Sequence, residues 1–157
     1  MKRNVALKIK SSQYTENLAP SGEAFKRELE LEDSIEILTE GTMYSKDNAT
    51  YITYEESVEA GLEDIRTMLK LSDNTLRIRR YGSSEDDDTD MLLQQGVLNI
   101  TRYKIPQLAS VDLEVYTHTL NSNIDEEGYG RIEVDYKIKF DKFFSRRNLL
   151  EIEVQPS

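Results

Sequence analysis

The sequence predicts an all-β protein built from two-faced antiparallel strands in a meander, and three observations carry that prediction. The clearest is an every-second-residue alternation, in which Ile132, Val134, Tyr136, Ile138 and Phe140 are separated by Glu133, Asp135, Lys137 and Lys139. Such a segment makes a strand with one wet face and one buried face. The same rule recurs in Val111-Asp112-Leu113-Glu114-Val115 and in Leu150-Glu151-Ile152-Glu153-Val154. One-sided alternation marks antiparallel strands rather than a parallel sheet buried on both faces. The third observation is punctuation: Gly41, Ser72-Asp73-Asn74, Gly82, Gly96 and Gly128 divide the chain into about ten short strands, the spacing of a sandwich or barrel.

In chain order, strands are expected at residues 4–10, 25–32, 35–39, 50–56, 65–71, 75–81, 91–95, 98–103, 111–120, 131–140 and 150–154. Residues 13–22 and 83–90 are expected to be exposed loops, being polar and without period. One stretch supports two readings. Between Glu55 and Leu71, Val58, Leu62, Ile65 and Leu69 sit at helical spacing, with acidic residues in front and Lys70 near the end. Gly61 costs such a helix about 1 kcal/mol relative to alanine, and Ile65, Thr67, Leu69 and Leu71 read equally well as a strand.

At 157 residues the chain suits one domain spanning 1–157, with enough surface to bury for an independent core. Three prolines and seven glycines leave little material for a linker. The absence of cysteine removes disulfides, thiolate metal sites and thiol nucleophiles, and fits a reducing cytoplasm, the expected location. Lys8 and Lys10 interrupt the apolar residues after Met1-Lys2-Arg3 too early for a signal peptide, and no apolar run approaches the roughly 20 residues of a membrane helix, so no membrane partner is expected. A formal net charge of -10 opposes a phosphate backbone. Arg77, Arg79 and Arg80 form the densest basic group, but Glu85, Asp86, Asp87, Asp88 and Asp90 follow at once, so nucleic acid is not expected either.

Chemistry-bearing motifs are weak. The lone histidine, His118, lies opposite the Val111, Leu113, Val115 face and is expected to face solvent, with no serine in a nucleophile elbow to serve. Asp86, Asp88 and Asp90 are spaced like the start of a calcium loop. Met91 stands where the sharp turn needs glycine and Val97 where the bidentate glutamate belongs, so a solvated loop is the better reading. Gly128-Tyr129-Gly130 is followed by Glu133 in place of a third glycine and reads as a hairpin turn. Neither metal nor cofactor is expected, and no catalytic residue is assigned.

Several short patterns together resemble the YwiB-like family of bacterial proteins, which have a calycin-type, lipocalin-like β-barrel and no assigned activity. Tyr54-Glu55-Glu56 resembles the family's Y-x-E, Arg80-Tyr81-Gly82 its R-x-G, and Met91 to Gly96 its M-x-[aromatic]-x-x-G, with Leu93 in place of the aromatic. Gly130-x-Ile132 with Tyr136-x-Ile138, then Asn148-x-Leu150-x-Ile152-x-Val154, resemble its last two strands. The family's Y-x-T-P-x-G hairpin stands here as Tyr103-Lys104-Ile105-Pro106-Gln107-Leu108, without the threonine and glycine, which implies a different turn. The resemblance implies a single antiparallel meander barrel, calycin-like, and makes Glu55 to Leu71 a strand, a turn and a strand.

A barrel of about eight strands is filled by side chains or holds one small ligand, so the inward residues decide. Leu76 and Ile78 share a face that Arg80 continues, while Arg77 and Arg79 fall outside; Ile52 and Tyr54 are followed on their face by Glu56. An inward arginine keeps its proton and needs acceptors. On the structural reading, Glu56 pairs with Arg80 in a network that Tyr54, Thr67, Thr117 or Tyr136 completes. On the functional reading, Arg80 anchors the carboxylate or phosphate of a ligand whose body lies against apolar walls. The expected function is therefore non-enzymatic binding of a small, partly apolar, anionic molecule in the barrel. The alternative is a protein-interaction module with a filled barrel and no ligand.

Overall fold

Ten antiparallel strands form one sheet that curls into a nearly closed barrel in a computed structural model of the chain. The structure describes residues 2–21, 24–56, 65–82, 89–104, 110–139 and 145–157, and among these there is no helix. The strands are β1 (Arg3–Ser21), β2 (Ala24–Lys46), β3 (Ala49–Glu55), β4 (Arg66–Ser72), β5 (Thr75–Tyr81), β6 (Thr89–Gln94), β7 (Leu98–Lys104), β8 (Ser110–Ile124), β9 (Gly130–Lys139) and β10 (Ser145–Pro156). Their order in the sheet is β6-β5-β4-β3-β2-β1-β10-β9-β8-β7. Each strand therefore pairs with its neighbour in sequence except at one seam, and the first and last strands pair directly. The meander expected from the alternation is the observed topology.

The seam lies between β6 and β7. Asn99 Nδ2 donates to the Leu92 carbonyl at 3.2 Å, and the Leu120 amide donates to Gln95 Oε1 at 3.0 Å. The Gly96 amide reaches the Thr117 carbonyl at 2.8 Å. Side chains and a turn thus close the barrel where no strand ladder does.

Alternation builds the core. Val5, Leu7 and Ile9 of β1, Ile52 of β3, Leu69 of β4, Leu76 and Ile78 of β5, Ile132 and Val134 of β9, and Ile152 and Val154 of β10 are all buried on one inward face. On β8 the phase slips at a bulge between Thr117 and Thr119, so that Val115 and Thr117 point inward before it and Leu120 after it. This bulge corrects the expectation for His118. The imidazole is half-buried against the edge of the Tyr116 ring, with 4.8 Å between centroids, instead of facing water.

Other expectations also need correction. Residues 13–21 are not a loop: β1 continues through them, paired with β2 from Tyr14↔Leu31 to Ser21↔Ala24. Pro20 is tolerated because β1 pairs with β10 only as far as Tyr14, so one edge of the strand carries no β10 ladder there. The two strands expected at 25–32 and 35–39 are one, and Gly41 lies inside it. A Cβ at Gly41 would stand 2.7 Å from the Thr53 carbonyl oxygen, so this glycine serves close strand approach and not a turn. The turn falls at Asp47-Asn48, both with positive φ, 52° and 63°. That is the two-residue geometry whose twist suits a hairpin. The turn at Asp73-Asn74 lies where expected, with Asn74 at φ 56°. Glu55 to Leu71 is strand at both ends, while residues 57–64 lie outside the described residues. So do 83–88, most of the changed hairpin at 105–109, and Phe140. Asp90, the last of the three spaced aspartates, belongs to β6 and pairs with Arg77 at 3.2 Å and Arg79 at 4.0 Å.

Candidate ligand-binding site

Register brings three of the singled-out residues into one row. Tyr54 of β3 lies opposite Thr67 of β4, and Thr67 lies opposite Arg80 of β5, all on the inward face. Glu56 follows β3 by one residue, and its amide donates to the Ile65 carbonyl at 2.7 Å, which ties it to the start of β4. Its side chain is 5% exposed. A carboxylate so placed needs donors. Thr67 Oγ1 donates to Glu56 Oε1 at 2.5 Å, and the Tyr54 hydroxyl hydrogen-bonds both of these side chains. Arg80 Nε lies 3.8 Å from the same Glu56 oxygen, an ion pair beyond hydrogen-bond length.

Burial sets the electrostatics. Tyr54 is pushed far above the usual phenol range, chiefly by desolvation and then by the Glu56 charge, with Arg80 pulling the other way. Tyr136 is likewise raised by burial, and it too feels the Arg80 guanidinium as an opposing influence. The tyrosine on β9 and the arginine on β5 therefore sense each other across the barrel.

Between them is a cavity of about 240 Å³, lined by both residues together with Tyr54, Glu56, Ser11, Gln13 and the apolar side chains of Ile9, Ile35, Ile37, Leu69, Ile78, Met91, Leu150 and Ile152. It exceeds the roughly 150 Å³ apolar cavity that accepts benzene. Arg80 Nε is buried and has no hydrogen-bond partner among the described residues. Thr117 belongs elsewhere. It is buried opposite Tyr136, but its hydroxyl does not line the cavity and joins no hydrogen bond among the described residues, so it does not complete the Glu56–Arg80 network. Tyr136 lines the cavity.

Sequence reasoning named Tyr136 but missed the polar side chains on its side of the cavity, Gln13 and Ser11. Tyr136, Asn148 and Gln13 form a row across β9, β10 and β1. Arg146 Nη1 donates to Gln13 Oε1 at 3.1 Å, which places a second guanidinium beside a lining residue. The signal is in the sequence: Ser11 and Gln13 continue the parity of Val5, Leu7 and Ile9 past residue 10, where the polar run suggests that the strand ends. Ile35 and Ile37 fall within the strand expected at 35–39, and only the barrel's closure brings them to the cavity. Among the described residues no group of three histidine, aspartate or glutamate side chains is placed to hold a metal ion.

A family model described as a domain of unknown function, DUF1934, matches residues 23–152. The chain belongs to the DUF1934 family. This DUF1934 chain is 29% identical over 105 residues to the uncharacterized beta-barrel protein YwiB of Bacillus subtilis (strain 168), covering 67% of this chain and 69% of the relative. It superimposes on the crystal structure of ywiB protein from Bacillus subtilis with a TM-score of 0.71 at 22% identity, over 99% of this chain and 93% of the other. The DUF1934 fold here is thus the β-barrel of YwiB, the relative to which the short patterns at Tyr54, Arg80, Met91 and Gly130 point.

Proposed function

We propose that this DUF1934 protein is a non-enzymatic, cytoplasmic, calycin-like binding protein that holds a small, partly apolar, anionic molecule in its barrel. The observation that carries this reading is the cavity of about 240 Å³, lined by eight aliphatic and methionine side chains and by a few polar groups that include Arg80. Ligand sites are concave, mostly apolar and furnished with a few convergent polar groups. A buried guanidinium nitrogen without an acceptor supplies the orienting group. His118, the lone histidine, lies on β8 and does not line the cavity.

The test is native mass spectrometry of the purified protein, with organic extraction of the retained material. The expected result is a small anionic adduct on the wild-type protein that is absent from a folded Arg80→Met variant. Failure of the wild type to retain or take up any small molecule overturns the reading. The rival reading, a protein-interaction module, draws on outward apolar side chains, Leu38 at 75% exposed and Ile100 at 66%. It expects partner binding to be indifferent to Arg80→Met.

A further inference from the structure

We propose that the cavity selects singly charged carboxylates, gripped from opposite walls by Arg80 and Tyr136, and that Glu56 rejects doubly charged head groups. This rests on the small-molecule reading above and names the class of ligand and the residue that sets it.

Both gripping groups are donors. Arg80 cannot give up its proton, and its Nε has no hydrogen-bond acceptor among the described residues, because the Glu56 oxygen that faces it lies 3.8 Å away, beyond hydrogen-bond length. Tyr136 is a buried phenol on the opposite wall, kept protonated by burial, and so donates rather than repels an anion. An acceptor set between a guanidinium and a phenol satisfies both. A charged acceptor gains more than a neutral one, because hydrogen bonds to an ionised group are about twice as strong as those between neutral groups.

Glu56 sets the upper limit on charge. Its side chain is 5% exposed and fixed by Thr67 and Tyr54, so it cannot swing away when an anion arrives. Arg80 and Glu56 together carry no net charge. A carboxylate adds a single negative charge that the guanidinium can share, whereas a phosphate monoester above its second pKa of about 6 brings two. The surplus charge then faces the fixed Glu56 carboxylate, while the Arg80 guanidinium, its side chain 38% exposed, offsets only one of the two charges. The aliphatic side chains of Ile9, Ile37, Leu69, Ile78 and Ile152 leave the rest of the cavity suited to a short hydrocarbon body.

Three probes with one chain separate these statements: octanoate, octanol and octyl phosphate, titrated calorimetrically at a pH of about 8, where the phosphate is doubly charged. On the wild-type protein, octanoate is expected to bind about tenfold or more tighter than either of the others. Tyr136→Phe is expected to weaken octanoate about tenfold and leave octanol unchanged. Glu56→Gln keeps an oxygen for Thr67 and is expected to raise octyl phosphate to at least the level of octanoate. Equal binding of octanol and octanoate, or of octyl phosphate and octanoate, by the wild type overturns the proposal and leaves the small-molecule reading intact. So does a folded Glu56→Gln variant with the wild-type ranking. Binding of none of the three overturns the proposal, and the small-molecule reading is then decided by the native mass spectrometry above.

Discussion

Thr67 is the pivot of the polar row, because it is fully buried and its hydroxyl serves the most enclosed carboxylate among the described ion pairs. Replacing it by valine keeps the shape and removes the donor, leaving Glu56 short of a hydrogen bond. The expected loss is about 1–3 kcal/mol by urea denaturation, with Thr67→Ser close to wild type. Tyr54 and Tyr136 make a prediction about pH. Unfolded tyrosines ionise near pH 10, and both of these hold their protons above that when folded. The stability they contribute is complete below about pH 10 and declines as pH rises beyond it, because the unfolded chain then binds fewer protons. Tyr136→Phe should shallow that alkaline decline, as followed by denaturant midpoints at several pH values.

Two backbone positions hold the elements in register. At the β2–β3 turn, Asn48 adopts φ 63°, a conformation that asparagine tolerates and alanine resists. Asn48→Ala is expected to cost about 1 kcal/mol and Asn48→Gly almost nothing, read as a shift in urea midpoint at unchanged slope. Gly41 lies on β2, opposite Tyr54 of β3. A methyl group there meets the Thr53 carbonyl at 2.7 Å and Leu7 Cδ1 at 3.0 Å, and β3 must move to admit it. Gly41→Ala should lose about 1–3 kcal/mol, and weaken octanoate binding as well, because Tyr54 is the register partner of Gly41. The strand alternation in β9, β10 and β5 was legible in the sequence because each has one wet and one dry face. The continuation of β1 to Ser21 was not, since its residues beyond Tyr14 are extended by pairing with β2 alone and carry no matching alternation. Asp47-Asn48 was also passed over, because a glycine six residues earlier gave the louder turn signal.

For the molecule as a whole, binding and folding are one equilibrium. A ligand that fits only the folded barrel stabilises it by about 2.7 kcal/mol at a hundred times its Kd. For a chain of this size that raises Tm by about 5–10 °C. Octanoate is expected to do so for the wild type and to fail for Arg80→Met, as measured by calorimetric unfolding. The sequence by itself determined the all-β class, the meander order and the inward parity of Tyr54, Glu56 and Arg80, because strand periodicity is local and turn residues restart it. Tertiary structure decided the rest. That Thr67 Oγ1 serves Glu56, that Thr117 stands apart, and that Tyr136 faces Arg80 across a cavity all depend on how ten strands tilt and close, with the bulge in β8 and the seam between β6 and β7 setting the last of these. Parity names the face a side chain takes, but only closure brings opposite walls within reach of each other.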